Sequence, residues 1–299
     1  MDSQQTAAVL RLTSLAMGAA RAWLTDQGFV ELLPVILAPV TDPLRHNTDR
    51  AVIEAYGARW HLTRSMIFHK QAAVLACPRI FSFSPNVRLE PPAWAAGGRH
   101  LFEFVQLDLE IREAGREEAM AQAEGLLAAV VEAVRKEGRR ELALLGHRLA
   151  PLSPPFPRVA YREAEAAHGE GFEEVISRRS QTPTWIVDFP VEVREFYDRE
   201  DPARPGLCLD MDLLYPQGYG EALSGGEREH LPDRIRARMQ SQGLDPAGYA
   251  PLLALAESGL PPSAGFGVGM ERLVRYLAGL SHIRDVRLFP RVPGEVAQL

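Results

Sequence analysis

Several things are scarce in this sequence. Cysteine appears twice in 299 residues, at Cys77 and Cys208. Neither a disulfide framework nor a cysteine-based zinc site can be assembled from two, and the usage fits a reducing cytoplasm. Lysine is as rare: Lys70 and Lys136 are the only two among 33 basic residues, which makes the place of each worth attention. No run of about 18 apolar residues occurs, so no membrane span is expected. The first residues carry Asp2 and no basic leader, and Arg11 interrupts their apolar run, so no signal peptide is expected. Positive charge is not in surplus either. Net charge is −6; residues 1–100 hold ten Lys/Arg against seven Asp/Glu, and the rest hold 23 against 32. A basic clamp for a nucleic-acid backbone is therefore not expected.

What is present is ordinary globular composition, 46% hydrophobic and 24% charged. A chain of this length buries roughly three quarters of the surface it exposes when unfolded. Val9, Leu12, Ala16, Ala19 and Trp23 recur at helical spacing, which predicts a helix of about 20 residues ending near Gly28. Phe29 to Leu37 reads as an apolar strand broken by Pro34, and Thr41 to Arg59 as a polar, irregular loop. Ile80–Glu90 and Leu101–Arg112 read as strands of a long hairpin joined by a loop of about ten residues. A helix is expected over Glu117 to Leu145, a proline-rich connector over 149–159 and a helix over Leu231 to Ala254. Short strands are expected at Ile186–Val193, Leu207–Leu214 and Glu221–Ser224. Gly265 to Arg275 starts as a glycine-rich strand and runs into a helix. Hairpins outnumber regular strand–helix–strand units, which predicts an α+β fold with a mainly antiparallel sheet.

Three stretches carry chemistry. In Val87-Arg88-Leu89-Glu90, followed by Arg99-His100 and Phe102-Glu103-Phe104, strand alternation puts Arg88 and Glu90 on one face. A guanidinium and an aromatic ring beside a loop suit a nucleotide, one for phosphate and one for the base; the same residues also suit a salt-bridged hairpin. In Gly265-Phe-Gly-Val-Gly-Met-Glu-Arg272, alternating glycines let another group approach a strand closely. The spacing fits neither a P-loop nor a dinucleotide fingerprint. Asp212, Glu221 and Ser224 offer hard oxygen donors for Mg²⁺, with Arg228 close by in sequence; a solvated turn would look similar.

Taken together, these stretches resemble the class II aminoacyl-tRNA synthetase core, in its aspartyl/asparaginyl branch. Gly28-Phe29 through Pro34 resembles the first motif, whose proline sits at a dimer interface. Arg88-x-Glu90 through Arg99-His100-x-x-Glu103-Phe104 resembles the second. Gly267-x-Gly269-x-Glu271-Arg272, with Ile283-Arg284-Asp285 and Phe289-Pro290-Arg291, resembles the third. The Phe196-Tyr197 pair matches as well, and the resemblance covers about residues 5 to 295. It implies an antiparallel sheet flanked by helices, a single catalytic domain over 1–299, a homodimer, and ATP with Mg²⁺. Arg88 and Arg272 would be the catalytic arginines. Arg88, Glu90, Arg99, His100, Phe104, Glu221, Gly269 and Arg272 would bind ATP, and Asp212, Glu221 and Ser224 would hold Mg²⁺. Ser65, Lys70, Asp108, Arg228, Glu229 and Gly267 would bind the amino acid.

Two features bend the expectation away from tRNA charging. The β-barrel that reads the anticodon in this branch is not seen ahead of the first helix. Lys70 is kept in Ser65-Met66-Ile67-Phe68-His69-Lys70-Gln71, while Ile67 and Ser263 replace the glutamine and histidine of the family pattern. The resemblance is nearest to archaeal-type asparagine synthetase. It implies ATP-dependent activation of aspartate, with Lys70 and Arg228 clamping its α-carboxylate, followed by amidation with ammonia. Transfer of an activated amino acid to tRNA, protein or another acceptor, and a non-catalytic regulator that binds an amino acid or nucleotide, are the alternatives.

Overall fold

The computed structural model describes residues 1–44 and 51–296. Along the chain, α1 (Ser3–Asp26) leads to the short strands β1 (Val30–Glu31) and β2 (Leu37–Ala38). The hairpin β3 (Val52–Ala55) and β4 (Ala58–Leu62), helix α2 (Ile67–Ala73), and the long hairpin β5 (Arg79–Val87) and β6 (Glu103–Arg112) come next. Then come α3 (Arg116–Glu137), α4 (Arg139–Leu144), β7 (Arg158–Ala160), α5 (Tyr161–His168), α6 (Phe172–Arg179) and β8 (Thr184–Val187). The chain continues through β9 (Asp210–Tyr215), β10 (Gly220–Glu227), α7 (Pro232–Ser241), α8 (Ala250–Glu257), β11 (Ser263–Gly269) and α9 (Met270–Ala278).

Eight strands form one sheet in the order β1-β5-β6-β11-β10-β9-β8-β7. Its interior pairings are antiparallel; only the edge pairs β1–β5 and β7–β8 are parallel. The expected α+β class and antiparallel sheet are thus observed. One face of the sheet is covered by α1, α3 and α9, whose Leu12, Ala16, Leu126, Leu127, Val130 and Leu277 belong to the main core. The other face is lined with polar side chains. On β5, Ser82, Ser84 and Asn86 are buried, as are Asp108 and Glu110 on β6.

Breaks inside the expected helices have local causes. The 117–145 helix is two helices meeting at Gly138, where an added Cβ would sit 2.6 Å from Leu12 and 2.8 Å from the Val134 carbonyl. The 231–254 helix divides at Gly243, whose φ of +70° is left-handed, and α8 restarts after Pro246. Thr41–Arg59, expected as a loop, contains β3 and the start of β4; its residues 45–50 lie outside the described residues. The single strand expected at 29–37 is two two-residue strands. Pairing on β5 ends at Val87, so Arg88 and Glu90 stand just beyond the ladder.

Candidate active site

Two cavities on the polar face share a wall. One, of about 320 Å³, is lined by Arg88, Glu90, Trp94, Arg99, His100, Phe104, Gly269 and Arg272 among others. The second, of about 250 Å³, is lined by Asp42, Ser65, Ile67, Lys70, Asp108, Tyr197, Ser224 and Arg228 among others. Arg88, Gln106, Glu221 and Gly267 belong to both.

The floor of both lobes comes from one pairing. Gly267 stands opposite Asp108 and Gly265 opposite Glu110 in the β6–β11 register. A Cβ on Gly265 would lie 2.2 Å from both Glu110 Oε2 and the Leu109 carbonyl, and one on Gly267 would lie 3.0 Å from Asp108 Oδ1. The alternating glycines therefore clear room for the alternating series Gln106, Asp108, Glu110 on the neighbouring strand.

In the larger lobe, the Arg88 Nε donates to the Arg64 carbonyl at 3.0 Å, and its guanidinium lies 5.1 Å from the Phe104 ring centroid. Arg272 pairs with Glu221 at 3.0 Å. Burial by itself would raise the Glu221 carboxyl, but Arg272, Arg88 and Arg194 outweigh it and hold the group below its ordinary value. Trp94 packs on His100 with centroids 4.9 Å apart. Burial, aided by Arg272, lowers His100 to about 4, so its ring is neutral near pH 7.

The smaller lobe is a closed ion network. Lys70 Nζ donates to Asp108 Oδ1 at 3.0 Å and to the Phe266 carbonyl at 3.1 Å, with Glu110 Oε2 at 3.7 Å. Arg228 donates to Glu110 through Nε at 3.0 Å and Nη2 at 3.2 Å and lies 3.7 Å from Asp198. Ser263 Oγ donates to Glu110 at 2.8 Å. Tyr197 donates to Asp42 at 3.0 Å, and burial pushes the Tyr197 hydroxyl well above its ordinary value. Asp108 Oδ2 is buried with no hydrogen-bond partner among the described residues.

Asp212 and Ser224 face each other across β9–β10, with Glu221 on the far side of a register shift. Burial raises the Asp212 carboxyl, and Glu221 adds to the effect. Two neighbouring carboxylates and a hydroxyl are hard donors of the kind Mg²⁺ takes. No three His, Cys, Asp or Glu side chains enclose a metal position among the described residues; Asp212, Glu221 and Ser224 would supply only part of the shell of such an ion, the rest coming from water or substrate oxygens.

Every residue expected at ATP lines the larger lobe. Ser65, Lys70, Asp108, Arg228 and Gly267 line the smaller one. Glu229 does not: its carboxylate accepts from the backbone N–H groups of His230 and Leu231 at 3.0 and 3.1 Å, and it borders an outer cavity beside α7. Sequence reading missed Glu110, Asp42, Asp198 and Arg194. Glu110 had a signal, the two-residue alternation after Gln106 opposite the glycines. Asp42 and Asp198 sit in irregular segments whose path only the fold sets.

The tRNA synthetases class II (D, K and N) family matches residues 1–293. Asparagine–tRNA ligase of Thermococcus gammatolerans is 31% identical over 312 residues, covering 99% of this chain and 71% of that protein. Asparaginyl-tRNA synthetase from Pyrococcus horikoshii, solved with asparaginyl-adenylate, superposes with a TM-score of 0.89 at 28% identity over 98% of this chain and 70% of that one. The Entamoeba histolytica aspartyl tRNA synthetase gives a TM-score of 0.77 at 27% identity, over 97% and 59%. The expectation of an aspartate–ammonia ligase, with aspartate and ammonia as partners, is corrected by these relatives, which are tRNA ligases over nearly the whole chain. The site supplies a physical reason. The two cations meant to clamp a carboxylate are already neutralised by Asp108 and Glu110, and Ser263 is bonded to Glu110. No helix among the described residues is long and apolar enough to cross a membrane. With its sheet order, its joined lobes and these matches in agreement, the chain belongs to the class II tRNA synthetases of the D, K and N group.

Proposed function

We propose that this chain is an asparaginyl-type ligase that activates an amino acid as its adenylate and transfers the acyl group to tRNA. The observation that carries the reading is the shared wall. A nucleotide in the larger lobe and an amino acid in the smaller one would meet at Arg88, Gln106 and Glu221. One oxygen of the amino acid α-carboxylate would attack the α-phosphorus, the bond to pyrophosphate would break, and a tRNA terminal hydroxyl would later displace AMP. Such a displacement needs alignment and charge neutralisation more than covalent help.

The residue roles follow from position. Arg88 faces the junction and would hold the α-phosphate, where negative charge builds as the new bond forms. Phe104 and Arg272 would sandwich the base, with Glu90 and His100 at its edge. Neutral His100 adds no charge to that edge. Bound Mg²⁺, held by Asp212, Glu221 and Ser224 with phosphate oxygens, would neutralise the leaving group. Asparagine suits the smaller lobe better than aspartate. Lys70 and Arg228 already have anionic partners, so a second carboxylate would meet Asp108, Glu110 and Asp198 without a free cation. An amide or ammonium instead offers donors to the buried Asp108 Oδ2. Residues 1–299 are read as one catalytic domain that pairs as a homodimer.

The test is amino-acid-dependent exchange of pyrophosphate into ATP, followed by charging of tRNA. Asparagine should support exchange at least about tenfold better than aspartate, hydroxylamine should trap the α-hydroxamate, and labelled asparagine should appear on tRNA. Exchange without any transfer to tRNA would point to another acceptor, and no exchange with either amino acid would defeat the reading.

A further inference from the structure

Arg194 lies in the irregular segment before β9 and is held from every side. Its Nε donates to Asp210 Oδ2, and its Nη2 lies 2.8 Å from Asp212 Oδ1. Nη1 reaches Ser224 Oγ at 3.5 Å. The guanidinium covers the Phe189 ring at 3.7 Å from its centroid, and the Phe189 N–H donates to Asp210 Oδ1 at 3.1 Å. The Arg194 carbonyl accepts from Arg238 at 3.4 Å and from Gln242 at 2.8 Å, which fixes its backbone against α7. The side chain is 15% exposed, and that of Asp210 only 1%.

A guanidinium keeps its charge at any accessible pH. Two of the three groups assigned to the divalent cation, Asp212 and Ser224, are therefore already next to a permanent positive charge that has an anchor of its own in Asp210. The third, Glu221, is paired with Arg272. Like charges a few ångströms apart in a partly buried site repel strongly, so a free cation arriving alone meets two resident ones. A nucleotide changes the balance, because its phosphates bring negative charge and give Arg272 another partner.

We propose that Arg194 is a positioning residue that keeps the Asp212 site weak for a free divalent cation, so that the cation is taken up only together with nucleotide phosphates. This rests on the assignment of Asp212, Glu221 and Ser224 to Mg²⁺ made above. Asp210 is the counterweight: by sharing the guanidinium it tempers the grip of Arg194 on Asp212.

The test is a titration of the full chain with Mn²⁺ alone, read by the paramagnetic resonance of the free ion, and repeated with a non-hydrolysable ATP analogue. Arg194→Met should tighten binding of Mn²⁺ alone by at least about tenfold and change it far less when the analogue is present; Arg194→Lys should stay near wild type. Asp210→Asn should weaken Mn²⁺ binding, because the guanidinium then turns wholly to Asp212. These opposite directions are not what simple loss of structure gives, and Arg194→Gln, which also removes the charge and should tighten binding of Mn²⁺ alone, carries the test if Arg194→Met does not fold. Unchanged or weaker binding in Arg194→Met, or unchanged or tighter binding in Asp210→Asn, overturns the proposal while Glu221→Gln still abolishes binding. If Glu221→Gln leaves Mn²⁺ binding intact, the metal assignment falls and the proposal with it.

Discussion

Arg88 and Phe104 touch the same lobe but should fail in different ways when removed. Arg88 lines both lobes, and on the proposed reading charge would develop beside it, so Arg88→Ala should cut the rate of pyrophosphate exchange by at least about a hundredfold. Phe104 offers a stacking surface that is the same before and after reaction. Its loss, about 0.5–1.5 kcal/mol for an aromatic pair, should raise the KM for ATP by about threefold to tenfold with little change in kcat. Equal losses in kcat for both variants would reject these roles. His100 gives a pH signature. Its folded-state value of about 4 lies below the ordinary 6.5, so the unfolded chain binds a proton between those values that the folded chain refuses. Stability contributed by this residue is complete above about pH 6.5 and is lost as pH falls toward 4. His100→Gln should flatten the dependence of the urea midpoint on pH across that window, and an unchanged slope would show that another group controls it.

Among the elements, β11 best shows what a sequence can and cannot reveal. Its alternating glycines announced a close approach, but not to what; only the register, with Glu110 and Asp108 opposite, names the neighbours. The outer helices were legible because their apolar spacing answers to a single core, as Leu12 and Leu126 illustrate. The short strands around Pro34 and the β3–β4 hairpin were not, since two to five residues carry too little periodicity to separate strand from loop. Glu229 shows a related limit: adjacency to Arg228 says nothing about which way its side chain turns just beyond the end of β10. Two glycine substitutions should move stability in opposite directions. Gly265→Ala forces a methyl to 2.2 Å from a backbone carbonyl that cannot swing aside, and overpacking of this kind costs about 1–3 kcal/mol. Gly18 lies mid-helix in α1, with nothing within 4 Å of the point where a methyl would stand, so Gly18→Ala should gain about 0.5–1 kcal/mol from helix propensity. Thermal melts of the two variants against wild type check both signs.

For the molecule as a whole, the surface around α1 and the segment after β1 carries apolar groups that a monomer would leave wet. Leu33 is 91% exposed, with Ile36, Leu288 and Phe289 each above half, and a cavity bounded by Leu10, Met17, Val274, Leu288 and Phe289 lies beside α1. Pairing of two copies through this region would cover them. Sedimentation should give twice the 33.1 kDa chain mass, and Leu33→Asp should shift the equilibrium toward single chains by about tenfold or more. A stable monomer at micromolar concentration would remove the dimer from the reading. The wall common to the two lobes also has a pharmacological meaning. Because Arg88, Gln106, Glu221 and Gly267 line both lobes, a molecule joining an adenosine to an asparagine by a short uncharged bridge would, on the proposed reading, reach from one to the other with little linker to order. Its second half binds as though present at about millimolar or higher local concentration, so the joined compound should hold on far longer than either fragment, and its residence time, rather than its encounter rate, would set its potency.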